Sequence, residues 1–171
     1  MEVTFNVDVT AKDMRGYMFT HKYRSVSGIL EVLIGIACLV VGLLQYGKIE
    51  EQWKAYMLIL IFFGAFFLVF TPLNLCVKAK KQIVLNPMFK EPFTYVLNEE
   101  GIYISQNGES DQLPWKDVYK IVKNSTGIII YISKYRANIL PQRCIAEKET
   151  DIVKVIKNYA GKEKIGYGLR D

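Results

Sequence analysis

The chain opens on a strict two-residue rhythm. Across Glu2–Thr10, Val3, Phe5, Val7 and Val9 fall on one side, and Glu2, Thr4, Asn6, Asp8 and Thr10 on the other. That period predicts a half-buried strand, and a single strand needs a sheet to join. Sheet-forming sequence lies only beyond residue 82, so this strand is expected to return and pair with the C-terminal half. Thr10-Ala11-Lys12-Asp13 follows as a helix start of capping-box type, with Asp where Glu or Gln is usual. Lys12–Arg24 then runs helically, with Met14, Tyr17, Met18 and Phe19 apolar and Lys12, Arg15, Lys22 and Arg24 basic. Such a segment either lies along a membrane surface or forms the cytoplasmic start of a spanning helix.

The rhythm then gives way to unbroken apolar sequence. Tyr56–Val77 reads YMLILIFFGAFFLVFTPLNLCV, without a charge. Roughly 22 residues at about 1.5 Å each reach about 33 Å, enough for a hydrocarbon core of about 30 Å. Ile29–Leu44, extended by Ser25–Gly28 and Gln45–Tyr46, predicts a second such span, with Glu31 as its one charge. An intramembrane carboxylate is a candidate functional group. Glu31 lies close enough to the polar boundary, within about two turns, to reach it by snorkelling. Gly28, Gly35 and Gly42 recur at heptad spacing on nearly one face. The rings of Phe63, Phe66, Phe67 and Phe70, around Gly64, are expected to pack over that face within one hairpin; homodimerisation is the rival use of the glycines.

Short runs bounded by turn residues take over from Gln82. Gln82–Asn86 is a first candidate strand. Phe93–Leu97 and Ile102–Gln106 flank the turn Asn98-Glu99-Glu100-Gly101, and Asn107-Gly108 leads into Asp111–Pro114. Trp115 opens a segment that becomes the strand Val118–Lys123. Ile128–Ser133 is almost continuously apolar and therefore central, and Asn138–Leu140 is a last short strand. Glu147–Tyr159 carries Ile152, Val153, Ile156 and Tyr159 at helical spacing, with Gly161 as a stop. About six antiparallel strands capped by one helix suggest a small barrel or a PH-like sandwich. The fold class is thus membrane α+β: a two-helix transmembrane hairpin joined to a small PH-like antiparallel domain with a C-terminal helix. Its divisions are an N-terminal strand and juxtamembrane helix over 1–24, spans at 25–46 and 56–77 around an external loop 47–55, a folded domain over 82–162 and a tail over 163–171.

Composition narrows this picture. Hydrophobics at 51% with a mean hydropathy of +0.13 are too low for a polytopic transporter and high for a soluble domain. The formal charge of +5 raises nucleic acid as a partner, but the cations are spread along the chain and flank the spans. Lys12, Arg15, Lys22 and Arg24 precede the hairpin and Lys78, Lys80, Lys81 and Lys90 follow it, against only Lys48 and Lys54 in the loop. The positive-inside rule then puts both termini in the cytoplasm, and Tyr46, Trp53 and Tyr56 mark the interface belt. Met1–Thr10 is not expected to act as a cleavable signal peptide, because it alternates instead of forming an apolar core. Cys38, Cys76 and Cys144 show no metal or redox spacing and are expected to be reduced.

No catalytic, cofactor or metal constellation is legible. His21 is the single histidine, Gly161, Gly166 and Gly168 follow a helix instead of opening one, and Asn124-Ser125-Thr126 is a turn on the expected cytoplasmic side. The turn carrying Glu99 and Glu100 has the wrong sign for a phosphoinositide site. Lys116, Lys120, Lys123, Lys134 and Arg136 form a basic zone around a later hairpin. That zone either touches anionic lipid or is a solvated face.

Several stretches resemble one family, the YcxB-like proteins. These are the TFNVD opening, the hairpin, Phe93-Thr-Tyr-Val-Leu-Asn-Glu-Glu-Gly101-Ile, Leu113-Pro-Trp115-Lys-Asp117-Val and Ile139-Leu-Pro141-Gln-Arg143. The resemblance implies a small bacterial membrane protein with two transmembrane helices and a PH-like domain, and it implies no activity. Gln142 departs from the Lys more usual there. On physical grounds Trp115 closes one end of the barrel, Pro141 ends the last strand, and Arg143 is placed to pair with Asp117 or Glu147. The expectation is a non-enzymatic inner-membrane protein that docks a protein partner or its own copy, without cofactor, nucleic acid or metal. Sensing of anionic lipid is the alternative, and an embedded role for Glu31 the third.

Overall fold

The structure is a computed structural model that describes residues 1–169. It forms two compact units, one of residues 18–80 and one that joins Met1–Tyr17 to the chain from Lys81 onward.

In the helical unit, α2 (Val26–Tyr46) and α3 (Lys54–Leu85) are separated by a 3-10 turn at Glu51–Trp53. Ser25, extended at φ −81° and ψ 148°, caps α2 by accepting the Gly28 N–H. Both helices are long and apolar enough to cross a membrane, with mean hydropathies of 2.5 and 2.3 over their best stretches. Only 17% and 6% of those stretches are buried, so the rest of the chain leaves most of each apolar stretch uncovered. The glycines do bring the two helices together. A Cβ on Gly64 would lie 2.8 Å from the Gly35 carbonyl oxygen, and one on Gly42 would lie 3.1 Å from that of Met57. Gly28 instead closes on its own chain at Lys22. The phenylalanines differ from expectation: Phe62, Phe66 and Phe70 stack on one another along α3 and stay exposed. Leu39, Ile61 and Leu68 meet the glycine faces in their place. A flat ring at i, i+4 finds its partner on its own helix, whereas a narrow glycine groove takes a branched aliphatic chain. Glu31 is also committed. It accepts from Lys22 Nζ at 2.6 Å and from Thr71 Oγ at 2.5 Å, so its charge is paired inside the helical unit.

The second unit is built of two antiparallel sheets. β1 (Val3–Val7), β2 (Phe93–Leu97), β3 (Gly101–Gln106) and β4 (Glu109–Pro114) form one in that order; β5 (Lys120–Asn124), β6 (Gly127–Tyr131) and β7 (Ala137–Pro141) form the other. The N-terminal strand does return. Val3 pairs with Leu97 and Val7 with Phe93, and the Phe5 ring stacks on Tyr95 with centroids 5.7 Å apart. Its alternation becomes burial: Val3, Phe5 and Val7 face the core while Thr4 and Asn6 are exposed. β6 is the middle strand of its sheet, with Ile128, Ile129 and Ile130 all buried, as an unbroken apolar run requires. α5 (Glu149–Tyr159) turns Ile152, Val155 and Ile156 inward, with Val155 in the place expected of Val153.

Two segments differ from expectation, and for a third one of two alternatives falls away. Gln82–Asn86 is not a strand: α3 continues through Leu85, and Asn86 and Pro87 end it by starting a 3-10 turn. The helix formers of Lys78–Gln82 carry the helix onward through Leu85. α1 (Ala11–Tyr23) is a helix of its own, ending before Ser25 rather than running into the first apolar helix. Its first half belongs to the β unit, where Met14 is buried and Gly16 lies against Thr126. The segment expected as a tail runs along β5. The Gly166 N–H donates to the Ile121 carbonyl at 2.7 Å, the Lys123 N–H donates to that of Tyr167 at 3.0 Å, and Ile165 and Leu169 are buried.

Candidate functional site

Three cations of the expected basic zone, Lys120, Lys134 and Arg136, lie at one end of the three-stranded sheet. Lys120 pairs with Tyr131 and Tyr131 with Ala137, so these three form its last rung, and the β6–β7 connection extends beyond them. That connection is a tight loop. The Ile132 N–H donates to the Arg136 carbonyl at 2.9 Å, and Ser133 Oγ accepts from the N–H groups of Tyr135 and Arg136 at 3.2 and 3.1 Å. Ser133 satisfies the backbone that a helix or ladder would otherwise satisfy, which fixes the loop from within. Lys134, Tyr135 and Arg136 therefore point outward, with Tyr135 84% exposed. Lys120, Lys134 and Arg136 make no ion pair with a described residue.

The other two cations of the expected basic zone differ: Lys123 is paired, whereas the Lys116 side chain is exposed and without an ion pair among the described residues. Lys123 is spent on Glu149, and Gln142 donates to the same carboxylate. These two donors, Lys123 first, hold the Glu149 carboxyl below its ordinary range. Lys116 sits in the 3-10 turn Trp115–Asp117 ahead of β5, where its carbonyl and that of Trp115 accept from Lys164 Nζ at 2.6 and 2.7 Å.

Beside the loop lies a hollow of about 230 Å³. Tyr17, Phe89, Phe93 and Tyr95 supply aromatic walls, and Arg136 and Asn138 bring polar groups to them. Burial raises the Tyr95 hydroxyl above its ordinary pKa, and raises Tyr131 to about 12. Asn138 Nδ2 is buried and has no hydrogen-bond partner among the described residues. Among the described residues, no three His, Cys, Asp or Glu side chains come together in a way that could hold a metal ion.

The motif residues occupy a different region. Trp115 is buried and its indole N–H donates to the Asn98 carbonyl at 2.8 Å, tying β4's end to the β2–β3 turn. Asp117 is exposed. Pro141 closes β7 and precedes α4 (Gln142–Ile145), whose first N–H donates to the Thr126 carbonyl. Arg143 pairs with neither Asp117 nor Glu147. It donates to Asp8 Oδ1 at 2.8 Å, to the Asp8 carbonyl at 2.5 Å and to Asp13 Oδ2 at 3.0 Å. Asp13 also closes the cap of α1, accepting from the Thr10 N–H at 2.9 Å and from Thr10 Oγ at 2.6 Å. The correction has a topological cause: β1 lies beside α4, which brings carboxylates distant in sequence closer than the neighbouring ones.

Comparison with known proteins covers this same unit. The family model described as YcxB-like protein matches residues 97–157. The resemblance carried by the motifs is thereby supported. The match runs from the end of β2 into α5, includes Trp115, Asp117, Pro141 and Arg143, and leaves both apolar helices outside it. No curated protein and no solved structure matches the chain.

Proposed function

We propose that this is a two-pass bacterial inner-membrane protein presenting a PH-like module to the cytoplasm, where the module recognises the anionic surface of the bilayer without catalysing a reaction. The four-stranded and three-stranded sheets with a C-terminal helix fit the PH-like reading. The two apolar helices, little buried, and the cluster of Tyr46, Trp53, Tyr56 and Lys54 at the hairpin turn fit insertion. The observation that carries lipid recognition is the Lys134–Tyr135–Arg136 tip, with Lys120 at its base: three unpaired cations and one almost fully exposed ring. Tyr17 and Gln82, at the two points where the chain leaves and rejoins the unit, line the same hollow as Tyr135 and Arg136. An amphipathic ring between cations suits a headgroup layer, each cation contributing about 1 kcal/mol near an anionic surface.

The test uses the full chain in vesicles, with the native cysteines replaced and an environment-sensitive dye at Tyr135→Cys. Spin-labelled headgroups should quench the dye in anionic vesicles and much less in neutral ones, and Lys120→Gln with Lys134→Gln should remove the difference. Equal quenching in both vesicle types would overturn the reading. A second reading, docking of a protein strand, is supported by β4: its outer edge pairs with no strand among the described residues and Glu109–Gln112 are exposed.

A further inference from the structure

The hollow beside the tip has features that surface recognition does not require. We propose that it binds an amphiphilic oxyanion, its charged oxygens received by Asn138 and Arg136 and its apolar stem lying among Tyr17, Phe89, Phe93 and Tyr95. Two independent observations support this. The first is volume: about 230 Å³ far exceeds the roughly 10–15 Å³ that holds one water. The second is the Asn138 amide, whose Nδ2 has no partner although it is buried. A buried unpaired donor is costly, so an acceptor that reaches it binds with more than the usual gain. Nδ2 is sealed from solvent while Asn138 lines the hollow, so the proposed binding turns the amide about its soft terminal torsion to bring the NH2 group to the ligand.

Arg136 supplies charge at the rim, and its planar fork suits a phosphate or carboxylate. The walls set the rest of the ligand's chemistry. Four aromatic rings favour an apolar or flat stem over a fully hydrated ion. A phosphate on an acyl glycerol and a free phosphate share the charged group and differ in the stem, which makes the two sources separable.

The inference shares Arg136 with the proposed lipid-facing tip but does not need a bilayer surface, so its test is done without one. Full-length protein in neutral detergent is titrated with dihexanoyl phosphatidic acid, with dihexanoyl phosphatidylcholine and with inorganic phosphate, read by calorimetry and by the rise in melting temperature that a native-state ligand produces. Saturable binding of the phosphatidic acid is expected, weaker by about tenfold or more in both Asn138→Leu and Arg136→Gln. Arg136 is exposed, so its variant keeps the fold, and Asn138→Leu removes an orphan donor and should melt no lower than wild type without ligand. Inorganic phosphate binding as tightly as the lipid would overturn the role of the aromatic walls. Absence of binding, or binding indifferent to both substitutions, would overturn the site. Either result leaves the quenching at residue 135 in vesicles free to succeed or fail by itself.

Discussion

Arg143 shows how one side chain ties sequence-distant segments together. Its guanidinium spans Asp8 at the end of β1 and Asp13 in the first turn of α1, and Asp13 is the single charged residue among the buried ones described. Arg143→Met leaves the Asp13 carboxylate without its cation and should lower unfolding stability by about 2 kcal/mol, measured by urea titration in neutral detergent. The Asp8 carboxyl lies below its ordinary pKa chiefly because Arg143 donates to it, and Glu149 lies below its own because of Lys123. Both groups bind fewer protons folded than unfolded. Their stabilisation is complete above the unfolded values of 3.8 and 4.5 and is lost as pH falls through the lowered folded ones. Melting temperature should therefore fall on acidification below about pH 4.5, and the fall should be shallower in Arg143→Met. Gly127 is a residue-scale constraint of another kind. At φ +137°, with the Leu140 carbonyl oxygen 2.1 Å from where a Cβ would sit, the β6–β7 pair closes only over a glycine. Gly127→Ala is expected to destabilise the unit by more than the roughly 1 kcal/mol of an ordinary glycine change, and the same titration reads it.

At the scale of elements, β1 decides whether the second unit is closed. It is an edge strand of the four-stranded sheet whose apolar side faces the core, and Phe5 is 6% exposed against Tyr95. Phe5→Ala should cost about 3–5 kcal/mol, seen as a shifted midpoint of Trp115 fluorescence on denaturation. An unchanged midpoint would mean that the strand is only loosely held. The return of β1 was legible because alternation over Val3–Val9 buries side chains in one way only. The central place of β6 was legible from its run of isoleucines. Gln82–Asn86 was misread because Ile83 and Val84 favour strands locally, while continuity with α3 decides the outcome. Arg143 was misread for a related reason: pairing was sought nearby in the chain, and the partners lie across the fold. The hollow was not legible, since Tyr17, Phe89 and Asn138 share no motif and meet only once the sheets form.

For the whole molecule, the proposal joins an apolar hairpin to a recognition module, and each part makes sense of features in the other. The little-buried helices suit a bilayer, and the unpaired cations of the tip suit an anionic one. The claim on which partner, ligand and lipid side all depend is the topology. It is tested by labelling single-cysteine variants with an impermeant maleimide in intact cells, Glu51→Cys in the hairpin turn and Glu109→Cys on β4, each without the native cysteines. Both positions are exposed, so accessibility reports the side of the membrane and not burial. The account expects the Glu51→Cys variant to label in intact cells and the Glu109→Cys variant to label only after lysis. Labelling at position 109 in intact cells would put the module outside the cytoplasm and contradict the account.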